Sequence, residues 1–256
     1  MKIKLDLHIH SEKSPDGCMS IEDIVKNARA HGLNGVAVCD HDVSLESVPL
    51  YEDFIVIPGI EVSTERGHVL GLFVTEQIST KQFDEAIRFI HEQGGIAVIA
   101  HPFEHSVNAS RLDDVIDMLD GVEAWNGRAD RKNGQANSMA LKLAQRCGKI
   151  VTAGSDAHLP QEIGNGAVVL EVDNLTLSDV KASLCSGAEQ IQGRRGESLC
   201  VAKSQLNKRI KTKAGILSYC KWLLFAVKCA VEDLIRERED IHVIDSENRK
   251  KGKENN

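Results

Sequence analysis

Four things are missing from this chain. There is no CxxC pair: the seven cysteines, at 18, 39, 147, 185, 200, 220 and 229, are scattered. An odd, unspaced set is expected to be reduced thiols rather than a disulfide framework. There is no apolar leader, because the chain opens "MKIKLDLHIH". A secretory signal is therefore not expected, and a cytoplasmic location is. There is no uninterrupted membrane-length run, since Lys221 and Lys228 break the most apolar stretch; no membrane partner is expected. Finally there is no positive excess: 31 Lys and Arg face 38 Asp and Glu, for a net charge of −7. That balance does not suggest a general binder of nucleic acid or membranes.

What is present is an ordinary core. A length of 256 residues with 42% hydrophobic and 27% charged content allows one large domain, or one domain with an appendage. Strand-like runs at 3–9, 35–40, 54–60, 68–74, 96–100, 121–125 and 150–154 alternate with helical patterns at 20–31, 80–93, 111–118 and 134–147. Ser20, with Glu22 and Asp23 behind it, and Ser79 read as helix starts. The alternation argues for a parallel α/β sheet, with 54–60 and 68–74 close enough to form a hairpin. Seven strands in so short a stretch predict a compact barrel, either open or closed. Beyond residue 160 a strand "AVVLEVD" and a helix "TLSDVKASLCSG" precede a basic segment, 193–213, with seven Lys and Arg and one Glu. An amphipathic helix follows, carrying Ile216, Leu217, Leu223, Leu224, Val227, Val231, Leu234 and Ile235 on one stripe. That stripe is expected to pack on the barrel or on a second subunit. The expected division is a barrel over 1–165, an appendage with the long helix over 166–240, and a polar, disordered tail over 241–256.

Six of the ten histidines fall at or beside expected strand ends: His8, His10, His41, His68, His101 and His158. Asp16, Glu61 and Asp156 accompany them in "DLHIHSEKSPDG", "PGIEVS" and "GSDAH". Any one of these alone reads as a structural histidine or a turn. "HIH" is stronger, because side chains two apart on a strand share a face. Together they persuade, because parallel barrel strands deliver their C-terminal ends to one rim. Imidazoles and carboxylates packed without ions would carry desolvation costs and few satisfied hydrogen bonds. Mixed imidazole and carboxylate ligands suit zinc, manganese or iron. Asp6 is read as sharing the face of His8 and His10. It either orients an imidazole or pairs with a core Arg or Lys.

These motifs, in order through "DLHIHSEKSPDG", "DH", "GIEVS", "HVLG", "AHP" and "GSDAH", resemble the polymerase and histidinol phosphatase (PHP) family over residues 1 to about 165. The resemblance implies a distorted (β/α)7 barrel with a centre of two or three metal ions, and hydrolysis of phosphate esters or a nuclease role. It implies one ion on His8, His10, Glu61 and Asp156, and a second sharing Glu61 with His101 and His68. A third would take Asp16, His41 and His158, with Asp16 standing where some members have a His. For His68 a half-buried strand histidine is the alternative.

Three dications against three carboxylates give a centre of about +3, suited to phosphate. Such ions lower the pKa of a bound water toward about 7, so hydroxide, and no side-chain nucleophile, is expected to attack. Asn126 and Arg128 in "VEAWNGRADRKN" are candidates for a phosphate or sugar; the alternative is a helix-capping loop. The basic 193–213 segment lines the entrance, contacts nucleic acid or is simply solvated. The favoured function is a metal-dependent phosphoesterase for small phosphorylated metabolites or nucleotides. An exonuclease on short RNA or DNA and a non-hydrolytic regulatory module stay as alternatives. A metal-dependent amidohydrolase also begins with HxH, but the downstream motifs fit PHP better.

Overall fold

The computed structural model describes residues 1–105, 112–236 and 241–245. Ten strands form one sheet: β1 Lys2–Ile9, β2 Gly35–Val38, β3 Ile55–Thr64, β4 Gly67–Leu72, β5 Ile96–Ile99, β6 Gly121–Asn126, β7 Ile150–Gly154, β8 Gly166–Glu171, β9 Gln190–Gly193 and β10 His242–Asp245. Their order is β10-β9-β8-β1-β2-β3-β4-β5-β6-β7. Strands β1–β2–β3 and β5–β6–β7 are parallel. Strand β4 runs antiparallel between β3 and β5, so the expected hairpin is present. On the other side β8, β9 and β10 add to β1 in antiparallel fashion.

The sheet curls strongly into a distorted half-barrel. Its far edge returns to β1: His10 N donates to Ala157 O at 2.9 Å and Asp156 N to His8 O at 2.8 Å. Gly154 makes that return possible, because a Cβ there would stand 2.3 Å from His8 Cβ. The parallel strands thus send their C-terminal ends to one rim.

Helices α1 Ile21–Ala30, α2 Phe83–Glu92, α3 Ala136–Cys147 and α4 Leu177–Ser186 cover the sheet. Ser20 caps α1 in a reciprocal box with Asp23. Helix α2 starts later than Ser79 suggests, with Gln82 at its N-cap. The helix expected over 111–118 is, in its described part, only a 3-10 turn at Ile116–Met118; residue 111 lies outside the described residues. Leu112, Val115, Ile116 and Leu119 still point inward, which explains the helical pattern.

Two bulges matter for the site. Asp6 pairs with Val36 and Ile9 with Val38, so β1 takes three steps where β2 takes two. Past the extra residue Ile9 packs with Ile24, Val25 and Ala28 of α1, and Asp6 turns to Ser155 N and Gly164 N, while His8 and His10 point to the rim. The shared face expected for Asp6, His8 and His10 is therefore broken by a bulge. A second bulge lies between Glu123 and Trp125 in β6.

After β9 come α5 Ser198–Lys211 and α6 Ile216–Ile235, packed as a hairpin. The apolar stripe of α6 does not pack on the barrel: Leu224 is 75% exposed and Leu234 84%. Residues His242–Asp245, placed in the polar tail by composition, form β10, and 246–256 lie outside the described residues. Among the described residues no helix is long and apolar enough to cross a membrane.

Candidate metal centre

All nine residues expected as ligands meet at the rim. His8 lies near the end of β1 and His10 just follows it, His41 follows β2, and Glu61 and His68 sit on β3 and β4. His101 follows β5, Asp156 and His158 follow β7, and Asp16 lies in the loop after β1. His101 and Asp156 hold left-handed backbone conformations, with φ of 28° and 56°. Such strain in non-glycine residues collects at functional sites.

Glu61 is the hub. Its Oε1 lies 2.7 Å from His68 Nδ1 and 3.0 Å from His101 Nε2. Its Oε2 lies 2.7 Å from His41 Nδ1 and 3.4 Å from His10 Nε2. Asp156 Oδ1 stands 3.2 Å from His10 Nε2 and 3.8 Å from His8 Nε2. Asp16 Oδ1 is 3.3 Å from His158 Nε2 and 3.7 Å from His41 Nε2. Among the described residues three groups have ligand atoms close enough to share an ion: His8–His10–Asp156, His41–Glu61–His68 and His10–His41–His158.

The charges are tightly linked. Burial works against ionised Glu61 and Asp156, yet the surrounding imidazoles hold both carboxyls well below the usual range. Burial likewise opposes charge on His101, but Glu61, Glu104 and Asp156 outweigh it and push the imidazole up to about 10. His8 is raised against its burial by Glu123, Asp156 and Glu61. His10 is driven well below normal by burial and by the neighbouring His158 and His41.

Does this set fit metal ions? Two buried carboxylate oxygens, Glu61 Oε2 and Asp16 Oδ1, accept no hydrogen bond despite nearby imidazoles. His8 Nε2 and His10 Nε2 face each other at 3.1 Å. Orphaned acceptors and opposed ring nitrogens are what a cation would resolve. The donor set fits several divalent ions and leaves their identity open.

The sequence reading missed Glu123. Its Oε1 meets His8 Nδ1 at 2.9 Å, and its Oε2 accepts from His101 N at 2.8 Å and Asn126 Nδ2 at 3.0 Å. An acid inside a fully buried strand, "GVEAWN", is the signal that marks it. Glu123 thus does what one reading gave to Asp6. Among the described residues Asp6 itself makes no hydrogen bond or ion pair to an imidazole ring or a core cation. It accepts from Ser155 N and Gly164 N, both at 2.9 Å, and burial raises its carboxyl to about 6. Asp40 was also overlooked; it gathers Ser11 and Ser14 and so shapes the loop that carries Asp16.

The substrate candidates separate. Asn126 is 1% exposed and holds Glu123, while its Oδ1 accepts from Arg128 N and Ala129 N. It braces the centre and does not face the cavity. Arg128 does line the cavity, in a two-pronged bond to Glu162 at 2.8 and 2.6 Å.

A cavity of about 460 Å³ lies above the cluster. Asp16, His41, His68, His101, Glu104, Asp156 and His158 line it, facing Arg131, Lys132, which pairs with Glu104 at 3.4 Å, and Arg209 with Phe225. The last two come from α5 and α6, so part of the basic segment borders the entrance. Lys211 also donates to the carbonyls of Glu12, Ser14 and Gly17 at 2.7–2.9 Å, tying the Asp16 loop to α5.

A curled half-barrel with imidazoles and carboxylates gathered at its strand ends defines an α/β protein with a candidate metal centre. The chain belongs to the PHP family: the PHP domain model matches residues 6–146, and the PHP-associated model matches 134–188. The uncharacterised protein MJ1587 of Methanocaldococcus jannaschii is 35% identical over 156 residues, covering 54% of this chain and 90% of that protein. A 5'-3' exoribonuclease of Haemophilus influenzae is 40% identical over 81 residues, but these cover only 28% of this chain and 29% of the enzyme. Among solved structures, the lesion-specific endonuclease Q of Pyrococcus furiosus shares the fold. Its TM-score is 0.53 at 19% identity, covering 75% of this chain and 58% of that one.

Proposed function

We propose that the protein is a metal-dependent phosphoesterase acting on phosphate esters of small metabolites or nucleotides. The observation that carries this reading is the convergence of six imidazoles and three carboxylates on a cavity bordered by Arg131, Lys132 and Arg209. The proposed ligands are His8, His10, Glu61 and Asp156 for one ion, Glu61, His68 and His101 for a second, and Asp16, His41 and His158 for a third. Bound zinc, manganese or iron would supply charge to phosphoryl oxygens and acidify a water as nucleophile.

The chain's own groups support the rest. Arg131, Lys132 and Arg209 favour an anionic substrate, and a volume of about 460 Å³ suits a small ester or a nucleotide. No side chain near the cluster is arranged as a nucleophile among the described residues. Ser11 and Ser14 donate to Asp40, and the Cys39 thiol is buried, its pKa pushed well up by that burial.

A second reading, an exonuclease on short RNA or DNA, is favoured by the partial likeness to the exoribonuclease and by Arg209 of α5 at the entrance. The test is a panel of p-nitrophenyl phosphate, bis-p-nitrophenyl phosphate, nucleotides and end-labelled oligonucleotides. Hydrolysis of the small esters, abolished by chelation and restored by manganese or zinc, is the expected result. Preference for oligonucleotides would favour the second reading. Hydrolysis surviving chelation in metal-free protein would remove both.

A further inference from the structure

Helix α6 has two unlike faces. Its inner face is fastened to α5: Asp233 accepts from Ser198 N and Leu199 N at 2.8 and 2.7 Å, and Trp222 Nε1 donates to Ala202 O at 2.8 Å. Cys229 is fully buried on that side. The opposite face carries Leu217, Cys220, Leu224, Val227, Val231 and Leu234. Their spacing alternates three and four residues without a break, the 3.5-residue repeat of a helix that meets another helix. The apolar members of this row are 50–84% exposed, and so are Ile216, Leu223 and Ile235 beside it.

The row is too large to be incidental. Eight large aliphatic side chains at such exposures present on the order of 1,000 Å² of surface. The largest apolar patch on an ordinary monomer is roughly 300–600 Å². A stable pair needs about 800 Å² from each partner. The remainder of the chain does not supply a cover. Segments 106–111, 237–240 and 246–256, outside the described residues, contain only Val107 and Ala109 as apolar residues.

We infer that α6 is the interface of a homodimer, packing its 3.5-residue seam against α6 of a second copy in antiparallel orientation. The seam is self-complementary in that sense, as a two-fold contact requires. Leu217 meets the partner's Leu234, Cys220 meets the partner's Val231, and Leu224 meets the partner's Val227. Lys228, which flanks the seam near its middle, is tempered by Glu232 at 3.6 Å. An anionic membrane is the less favoured occupant. The face is a narrow seam flanked by two lysines, on a chain of net charge −7.

The test uses the full chain. Light scattering behind size exclusion should give twice the chain mass for the wild type. Leu224→Glu with Val227→Glu should halve that mass and keep the wild-type circular dichroism spectrum, because both residues are solvent-exposed in a single copy; the melting temperature should fall only by what association contributes. With Cys18 and Cys185 changed to Ser, Val231→Cys should form an oxidised dimer through Cys220, and the further change Cys220→Ser should abolish it. A monomeric wild type, a doubly charged variant that stays dimeric, or binding of the wild type as a monomer to phosphatidylserine vesicles would overturn the proposal. A Cys220-only crosslink in the absence of Val231→Cys would overturn the antiparallel register.

Discussion

Glu61 shows how much one buried carboxylate can organise: four imidazoles lie within 3.4 Å of its two oxygens. Without ions, protonated histidines do the balancing, and this has a signed consequence for pH. His101, raised to about 10 from the usual imidazole value of 6.5, contributes stability that is full below about 6.5 and lost as pH climbs through about 10. Glu61, held below 4.5, contributes stability that is present above that pH and lost as pH falls. The metal-free protein should therefore lose several degrees of melting temperature as pH rises from about 6.5 toward 10. Divalent metal should reverse the alkaline loss, because ligand imidazoles must be deprotonated to bind. Melting curves of the metal-free protein from pH 5 to 10 check this; a flat or rising profile above pH 7 would contradict it. Glu123 gives a second prediction at this scale. Glu123→Gln keeps the shape but weakens the hold on His8, and should cost about 10–100-fold in metal affinity while the fold survives. Competition with a chromogenic chelator measures it.

At the level of elements, the centre depends on how loops are fastened to one another. Arg128, after β6, and Glu162, after β7, form a buried pair, and Glu162 Oε2 also accepts from His158 N at 3.0 Å. Removing one partner of such a pair leaves a stranded charge. Arg128→Met should cost about 3–5 kcal/mol, and Arg128→Met with Glu162→Leu should recover part of that loss. Chemical denaturation of both variants checks the order. Helix α5 adds a different fastening, since Lys211 satisfies three carbonyls of the Asp16 loop. Lys211→Met should lower occupancy at the Asp16, His41 and His158 ligands first, seen as the loss of one metal equivalent by elemental analysis. Much of this scale was legible in the sequence. The residues of "DLHIH", "GIEVS" and "GSDAH" come to the rim expected from the sequence, because strand ends in a parallel sheet can reach only one rim. What escaped depends on register. The β1 bulge reversed Asp6, and no spacing rule reveals one extra residue in a strand. Glu123 was hidden because one acid among buried neighbours resembles any paired core carboxylate until its partners are known.

For the whole molecule, the parallel half-barrel with its antiparallel hairpin could be read from alternating patterns, whereas the destination of α6 could not. An apolar stripe states that burial is needed, not which surface provides it, and the barrel leaves this one open. The central claim concerns the nine-residue cluster: that it binds divalent ions and that Glu61 joins them. Two dications about 4 Å apart repel by several kcal/mol at an effective dielectric near 20, so removing the bridging charge should expel at least one. The direct measurement is the metal content of Glu61→Gln and wild type, by native mass spectrometry after loading with manganese or zinc. Hydrolysis of p-nitrophenyl phosphate esters is followed alongside. Two or three equivalents in the wild type, with at least one lost together with most turnover in the variant, is the predicted result. A Glu61→Gln protein with its full metal content and near-normal rate would contradict the account.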